Sequence, residues 1–199
     1  TLQRTQARRP ERFAEIFPEC TATILEEVDR LKHIVSEFSA FARLPASEPR
    51  PGSLSDVVKR SVELAGGFDD EAGATLELAL GADVDPVLLD PDRMTQLVQN
   101  LVKNALEAAA GTGKPAHVRV TTRALDGRVV ELSVADNGPG VKAEDESRVF
   151  TPYFTKKAGG TGLGLAVVSR IAAEHGGSVR LDPGQGGGGA TFTGQLRRP

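Results

Sequence analysis

The chain has 199 residues, with 24 Lys and Arg against 27 Asp and Glu, so its formal net charge is −3. This length suits one domain with an appendage, and a mildly acidic chain without a polybasic block is not expected to bind nucleic acid. With one cysteine, Cys20, and no apolar run near the roughly 18 residues of a membrane span, it is expected to be a cytoplasmic segment that makes no membrane contact.

The first predicted element is a long amphipathic helix over 19–44, a stretch without Gly or Pro. Its apolar or small residues recur at alternating spacings of four and three: Ile24, Val28, Leu31, Val35, Phe38 and Ala42. This a/d pattern predicts that the 19–44 helix pairs two copies of the chain in a homodimeric helical bundle. Pro18 suits the first turn of the helix, so the segment 9–18 is expected to connect it to a helical tail within 1–9.

A Pro-rich stretch separates this helix from a region of mixed helices and strands. It predicts a linker, 46–52, between a first domain, 1–45, and a second domain, 53–199. The second domain is expected to have helices over about 53–64, 91–110 and 163–175, and strands over about 75–80, 118–122, 129–135, 178–181 and 191–196. This order indicates an α+β fold, a two-layer sandwich with helices on one face of a mixed, mostly antiparallel sheet.

Two local signals support these boundaries. Asp90 is a favourable N-cap for the helix over 91–110, and Gly111 is a favourable residue to end it. Asp126-Gly127, between two strand-like runs, predicts a hairpin turn.

Two asparagines in the helix predicted over 91–110 form the first candidate site. Asn100 and Asn104 are one helical turn apart, so both carboxamides project from one face of the helix. A neutral amide oxygen can coordinate Mg²⁺ while nucleotide phosphates supply the negative charge. The same pair is also compatible with an exposed polar helix face.

A loop with alternate glycines follows the strand predicted over 129–135. In Asp136-Asn137-Gly138-Pro139-Gly140, the glycines let a flat ring lie against the backbone. Asp136 can accept a hydrogen bond from an exocyclic amine such as that of adenine, whereas a base with a carbonyl there leaves the carboxylate unpaired. Taken alone, the run is also compatible with an ordinary Asn-Gly turn.

Two further patches follow along the chain. The run 150–157 alternates aromatic and small polar residues before Lys156 and Lys157, which suits a flap over a phosphorylated ligand or, alternatively, an apolar anchor under a loop. The run 159–166 is Gly-rich and opens a helix, where backbone N–H groups and the helix dipole favour an anion. It matches neither a P-loop nor a dinucleotide-binding fingerprint.

The three histidines are not expected to carry the chemistry. His33 lies beside the apolar stripe of the long helix, where a spacer role is favoured over a phosphoacceptor role. His117 begins a predicted strand and His175 ends a predicted helix, so both are expected to be structural. No Ser-His-Asp or metal-ligand spacing supports a hydrolase or a zinc protein.

The order of the four patches resembles that of sensor histidine kinases of two-component systems. N-x-x-x-N, D-x-G-x-G, a Phe-rich segment and G-x-G-L-G are similar to the asparagine, first glycine, phenylalanine and second glycine boxes of that family. The family belongs to a wider superfamily with gyrase, the large heat-shock chaperone ATPases and MutL. Residues 189–192 resemble its last glycine box, and residues 38–43 resemble the end of the second helix of its dimerisation and phosphotransfer hairpin. The resemblance covers 53–199 and is closest to the nitrogen-regulation branch.

The resemblance implies that ATP and Mg²⁺ are the ligands. Asn104 is then the Mg²⁺ ligand with Asn100 assisting. Asp136 binds adenine, in a pocket shaped by Gly138 and Gly140.

The resemblance also implies which residues surround the rest of the nucleotide. Lys156 or Lys157 handles phosphate, and Thr191 lines the adenine side. The glycine-rich segment completes the phosphate site with Gly160, Thr161, Gly162, Leu163 and Gly164.

Two departures from the family pattern bear on function. Gyrase-, chaperone- and MutL-type members have a Glu one turn before the metal-binding Asn, as the base for an attacking water, whereas Asn100 cannot accept a proton. This favours phosphoryl transfer to a protein over self-contained ATP hydrolysis. The acceptor His of the kinases lies in an H-E/D motif, and none occurs in 1–9, so the chain is expected to begin after that His and to be unable to autophosphorylate alone.

The resemblance therefore implies the cytoplasmic catalytic portion of a sensor histidine kinase. It would transfer the γ-phosphoryl of ATP to a His upstream, for relay to an Asp of a response regulator receiver domain, with an inner-membrane anchor of the whole protein left open. Two alternatives remain: an ATPase or chaperone-like nucleotide-binding module of the same superfamily, and a non-enzymatic dimerisation scaffold with a degenerate nucleotide site.

Overall fold

The computed structural model describes residues 10–42, 47–65, 73–157, 160–184 and 188–199. The chain divides into two compact units, Thr1–Leu44 with Lys157–Thr161, and Pro45–Lys156 with Gly162–Pro199. The helical tail predicted within 1–9 lies outside the described residues. Within the described ranges, no helix has the length and apolar character that crossing a membrane requires.

Helix α1 runs over Pro10–Ala42 and is longer than predicted. Pro10, and not Pro18, occupies the first helical position, where the missing N–H costs nothing. Pro18 lies inside the helix, so the prediction that 9–18 connects two helices was wrong. The residues between the two prolines include Glu, Arg and Ala, which favour a helix and carry it through the second proline.

The predicted apolar stripe of α1 is exposed where its side chains are described. The exposed fraction lies between 42% and 61% for Ile24, Val28, Leu31 and Val35. The side chains of His33, Phe38 and Ala42 lie outside the described ones.

The second unit contains three helices and seven strands among its described residues. They are β1 (Arg50–Gly52), α2 (Leu54–Ala65), β2 (Thr75–Leu80), β3 (Val87–Leu89), α3 (Pro91–Ala110), β4 (His117–Ala124), β5 (Val129–Asp136), α4 (Gly164–Glu174), β6 (Ser178–Asp182) and β7 (Thr191–Arg197). Every helix and strand predicted for this unit is therefore present. The short strands β1 and β3 were not predicted, and β1 lies at the end of the segment interpreted as a linker.

The five longer strands form one mixed sheet in the order β2-β4-β5-β7-β6. Strands β2 and β4 are parallel, and the other three pairs are antiparallel. Helices α3 and α4 contact this sheet. Alternate residues of the central strands, such as Val120, Leu132 and Val134, are completely buried. Polar side chains, such as Arg119 and Ser133, alternate with them on the opposite face. The predicted two-layer α+β fold is confirmed.

Strands β1 and β3 form a separate antiparallel pair in which Arg50 lies opposite Leu89 and Gly52 opposite Val87. Next to it, Asp85 accepts hydrogen bonds from the Ser53 hydroxyl at 2.8 Å and the Leu54 amide at 2.7 Å. The segment that enters the domain is thus tied to the rest of the unit by backbone and side-chain bonds.

The two helices on the sheet are joined through His175, which is buried at the end of α4. Its Nδ1 donates to the Ile171 carbonyl at 2.7 Å, and its Nε2 accepts from the backbone N–H of Asp90 at 2.9 Å. Asp90 is the N-cap of α3, as predicted, and its carboxylate accepts from the amides of Asp92 and Arg93. The structural role expected for His175 is confirmed, and the bond fixes the end of α4 against the start of α3.

Candidate functional site

Asn100 and Asn104 are half-buried on α3 and face the beginning of α4. A Cβ added to Gly164, the first residue of α4, would lie 3.5 Å from Asn100 Oδ1 and 3.6 Å from Asn104 Nδ2. The first turn of a helix has backbone N–H groups without intrahelical partners, and these favour an anion. The structure therefore brings the asparagine pair and the end of the glycine-rich run to one place.

Asp136 lies at the end of β5 and is oriented by the backbone of two loops. Its Oδ1 accepts from the amide of Gly138 at 2.8 Å and from the amide of Ala190 at 3.2 Å. The backbone N–H of Asp136 in turn donates to the Ala190 carbonyl at 3.0 Å. Only 9% of the residue is exposed. This places a buried, fixed carboxylate where β5 ends and β7 begins.

Gly138 fixes the loop after Asp136 against helix α3. A Cβ at this position would lie 2.7 Å from Asp136 Oδ1 and 3.0 Å from the backbone carbonyl carbon of Ala108. Because real Cβ atoms essentially never come within 3.0 Å of another heavy atom, a side chain here would displace Asp136 and press on the backbone of Ala108, so the packing favours glycine. Ala108 is one helical turn after Asn104, so the loop carrying Asp136 and the asparagine pair lie along the same face of α3.

The same loop is held on its other sides by bonds to neighbouring segments. Asn137 Oδ1 accepts from the His117 amide and its Nδ2 donates to the Pro115 carbonyl, both at 2.9 Å. Gly140 lies against the turn after β6, since a Cβ on it would lie 2.6 Å from the Pro183 carbonyl oxygen. Asn137 therefore has a structural role, and the loop is supported by both α3 and the turn after β6.

The register of β7 places Thr191 differently from the prediction that it lines the adenine side. Thr191 lies opposite Ala135 on β5. Because successive side chains of a strand point to opposite faces, Thr191 and Ala135 lie on the face opposite to Asp136. The residue that reaches Asp136 is Ala190, just before β7, through its backbone.

The Phe-rich run is attached to the core at its first residue and, through its middle, to the residues just before α4. The rings of Phe150 and Phe192 meet edge to face with centroids 6.1 Å apart. Tyr153 has a left-handed backbone, with φ of 67°, and its N–H donates to the Gly162 carbonyl at 3.0 Å. Gly162 has φ of 69°, and a Cβ on it would lie 2.5 Å from the Tyr153 carbonyl carbon, so this contact also requires glycine.

Lys156 is paired with carboxylates in the structure. Its Nζ lies 2.5 Å from Asp145 Oδ2 and 3.5 Å from Glu144 Oε1. The hydrogen bond to Asp145 is the largest cause of a raised pKa of Lys156; desolvation opposes it, and the charges of both carboxylates and a hydrogen bond to Glu144 add to it. Lys156, one of the two lysines predicted to bind phosphate, thus pairs with carboxylates of the protein instead.

The remaining predicted phosphate residues divide between the two units. Leu163 is buried and precedes the first residue of α4, and its carbonyl accepts from the Val167 amide, so its side chain belongs to the core. Lys157, Gly160 and Thr161 group with the unit that contains α1. Their contribution to a phosphate site stays a prediction.

Three contacts of the site were not predicted from the sequence: Gly138 with Ala108, the Ala190 amide with Asp136, and Lys156 with Asp145. The first had a signal, because Ala108 continues the one-turn spacing of Asn100 and Asn104. The other two join residues that are distant in the sequence or that act through the backbone, and no pattern of residue types marks them.

Residues 89–199 match the family described as histidine kinase-, DNA gyrase B- and HSP90-like ATPases. The matched region begins just before α3 and includes Asn100, Asn104, Asp136 and Gly164.

Three curated proteins show what the chain is similar to. It is 36% identical over 187 residues to the sensor histidine kinase ZraS of Escherichia coli K12, covering 91% of the chain and 39% of ZraS. It is 33% identical over 195 residues to the nitrogen regulation protein NtrY of Azorhizobium caulinodans, covering 95% of the chain and 24% of NtrY. It is 34% identical over 183 residues to the sensory histidine kinase/phosphatase NtrB of Rhodobacter capsulatus, covering 84% of the chain and 50% of NtrB. The chain thus spans half or less of these relatives.

Two solved structures are similar to this one. Full-length ShkA in complex with AMPPNP has a TM-score of 0.74 and 31% identity, covering 90% of this chain and 38% of ShkA. The mycobacterial sensor histidine kinase MprB has a TM-score of 0.65 and 27% identity, covering 76% of this chain and 99% of that one.

Proposed function

The chain belongs to the family of histidine kinase-, DNA gyrase B- and HSP90-like ATPases, and on that basis we propose that it is the ATP-binding catalytic part of a sensor histidine kinase. In the whole protein it would transfer the γ-phosphoryl group of ATP to a histidine outside this chain. An aspartate of a response regulator would then receive the phosphoryl group.

One observation carries this proposal: the loop after β5 and the first residue of α4 both lie against the same face of α3. Gly138 lies against Ala108, and Gly164 lies against both Asn100 and Asn104. This distribution suits a nucleotide whose base is bound at Asp136 and whose phosphates reach the first turn of α4. The similarity to ShkA, which was crystallised with AMPPNP, supports the same assignment.

The residues at the base end have a chemistry that selects adenine. The Asp136 carboxylate is a hydrogen-bond acceptor, and adenine presents an exocyclic amine where guanine presents a carbonyl. A hydrogen bond to a charged group of this kind contributes about 1.5–3 kcal/mol. Since Gly138 and Ala190 hold this carboxylate in place, little reorganisation accompanies binding.

The residues at the phosphate end fit a magnesium nucleotide. Among the described residues, no group of three or more His, Cys, Asp and Glu could hold a metal ion. Mg²⁺ is commonly held by one or two protein oxygens together with substrate phosphates, and the amide oxygen of Asn104 is a suitable ligand. When bound, the ion would neutralise charge on the phosphates. Asn100 would assist.

The chain positions its substrate rather than reacting with it. In phosphoryl transfer, most of the catalysis comes from positioning and charge stabilisation. A self-contained ATPase needs a base for the attacking water, and the amide of Asn100 cannot accept a proton. A protein acceptor is therefore favoured over water.

The partners proposed are a second copy of the chain and a response regulator receiver domain. The exposed heptad stripe of α1 supports the first, because it presents apolar residues at coiled-coil spacing. The second follows from the resemblance to sensor histidine kinases of two-component systems, the class of protein that the names of ZraS and NtrB give.

Calorimetric titration with ATP and Mg²⁺ tests the site assignment. Asn104→Asp and Asp136→Asn are each expected to abolish measurable binding, the first through a misplaced charge at the phosphates and the second through loss of the adenine acceptor. Lys103→Gln, an exposed change on the same helix, is the control and should bind like the unmodified chain. Unchanged affinity in both site variants would refute the assignment.

The principal alternative is an ATPase or chaperone-like module of the same superfamily. Steady ATP turnover by this chain without an acceptor protein would favour it. A chain extended upstream by a few tens of residues should instead form an acid-labile, alkali-stable phosphoprotein, as expected for phosphohistidine.

A further inference from the structure

We propose that Lys156 is a positioning residue, whose ion pair with Asp145 holds the segment 150–156 in place beside the nucleotide site. This inference rests on the proposed function, and it assigns phosphate binding to groups other than Lys156.

The first support is the asymmetry of the pair. The side chain of Asp145 is only 9% exposed, whereas that of Lys156 is 57% exposed, and the two charged atoms are 2.5 Å apart. The exposed lysine therefore reaches inward to a buried carboxylate. Glu144, which is 71% exposed and 3.5 Å away, adds a weaker attraction from the surface.

The second support is the cost of separating the pair. A buried carboxylate whose partner leaves remains in a poorly solvated place without that compensation. If Lys156 moved to a phosphate group, the gain there would be offset by this loss at Asp145. An exposed lysine without such a partner would have no comparable cost.

The third support is what the pair connects. Asp145 sits on a turn in which its carbonyl accepts from the amides of Arg148 and Val149, and Val149 is buried in the core. Lys156 lies at the far end of the Phe-rich run. Between them, Tyr153 is bonded to Gly162, two residues before Gly164 at the asparagine pair. The ion pair thus fixes the far end of a segment whose middle supports the entry to α4.

A double-mutant cycle on ATP affinity tests this role. Lys156→Gln and Asp145→Asn are each expected to weaken ATP binding by about threefold to tenfold, and the double variant no further, because both remove the same interaction. Lys156→Arg should retain the ATP affinity of the unmodified chain, since it preserves the positive charge that pairs with Asp145. Lys142→Gln, which removes an exposed positive charge three residues before Asp145, should have no effect.

If Lys156 instead bound phosphate directly, the Asp145→Asn variant would not lose ATP affinity. Asp145→Asn would then release Lys156 and leave ATP affinity unchanged or higher, and this outcome would overturn the proposal. The proposal would also be overturned if the loss of ATP affinity in the double variant equalled the product of the losses in the two single variants.

The unmodified chain, the two single variants Lys156→Gln and Asp145→Asn, and the double variant are also compared by thermal unfolding without nucleotide. Non-additive shifts would support the ion pair, and additive shifts would contradict it, whether or not a variant binds ATP. If the unmodified chain fails to bind ATP, the proposed function fails, while the unfolding cycle still decides the pairing.

Discussion

The backbone of Gly138 lies against Ala108 of helix α3, so that a Cβ added at Gly138 would lie 3.0 Å from the Ala108 carbonyl carbon. Ala108 is one turn after Asn104 on the same face of the helix. The loop that carries Asp136 is thereby held beside the asparagine pair. This contact thus helps to set the distance between the proposed adenine end and phosphate end of the site.

Replacing Gly138 by alanine is expected to damage both stability and binding. The added methyl group would meet Asp136 Oδ1 at 2.7 Å and the backbone of Ala108, and overpacking of this kind costs about 1–3 kcal/mol. Denaturant unfolding measures the stability loss, and calorimetry measures the loss of ATP affinity. Gly127→Ala is the matched control, since a Cβ there has nothing within 4 Å. Equal behaviour of the two variants would contradict the proposed contact.

Acid is expected to remove a stabilising interaction at Asp85. Burial raises the pKa of Asp85, but hydrogen bonds from the hydroxyls of Ser55 and Ser53 and from the backbone of Leu54 outweigh it and hold the pKa below its usual value. With a lowered pKa, the folded chain binds fewer protons than the unfolded chain. The stabilisation is therefore complete above the unfolded-state pKa of about 3.9 and is lost as the pH falls through the lower folded-state value.

Thermal unfolding as a function of pH tests this coupling. Asp85→Asn should lower the melting temperature at pH 7, and its difference from the unmodified chain should shrink below about pH 4. Glu63→Gln, an exposed change on α2, should show no such trend. A difference for Asp85→Asn that stays constant with pH would argue against a contribution from its charge.

His175 is expected to matter for stability, and His117 much less. In His175→Gln, the half-buried N–H of Asp90 loses its acceptor at 2.9 Å, and a fully buried group left unsatisfied costs about 1–3 kcal/mol, which is the upper limit here. His117→Gln changes an exposed side chain at the start of β4. Denaturant unfolding of both variants should give a clearly larger loss for His175→Gln, and similar values would show that the bond between α4 and α3 contributes little.

The heptad stripe of α1 is expected to hold the proposed homodimer together. Leu31→Glu places a charge among apolar residues of the stripe, and it should weaken self-association by at least about tenfold. Sedimentation equilibrium measures the dissociation constant. Lys32→Gln affects only an exposed pair with Asp29 and serves as the control. If both variants self-associate as the unmodified chain does, the stripe is not the interface.

The sequence predicted those parts of the structure that depend on neighbours in the chain. Helix α3 begins after Asp90 and ends before Gly111 as expected, because capping and apolar periodicity act within a few residues. The hairpin at Asp126-Gly127 likewise formed as predicted. Pro18 misled the prediction of α1, because a proline weakens a helix locally without always ending it.

Local sequence patterns did not predict the contacts between distant segments. The pairing of Lys156 with Asp145 and the side of the sheet on which Thr191 lies depend on how segments meet. Strand β1 also escaped prediction, since three residues containing a proline have too short a pattern to detect.

The amino-acid sequence by itself determined the chemical groups of this protein: two amides one turn apart, a carboxylate at a strand end and glycines before a helix. The tertiary structure alone decided which of these groups face each other, because that depends on register and close packing across the chain. It placed Asp136 beside the asparagine helix through Gly138, and it directed Lys156 to a buried carboxylate.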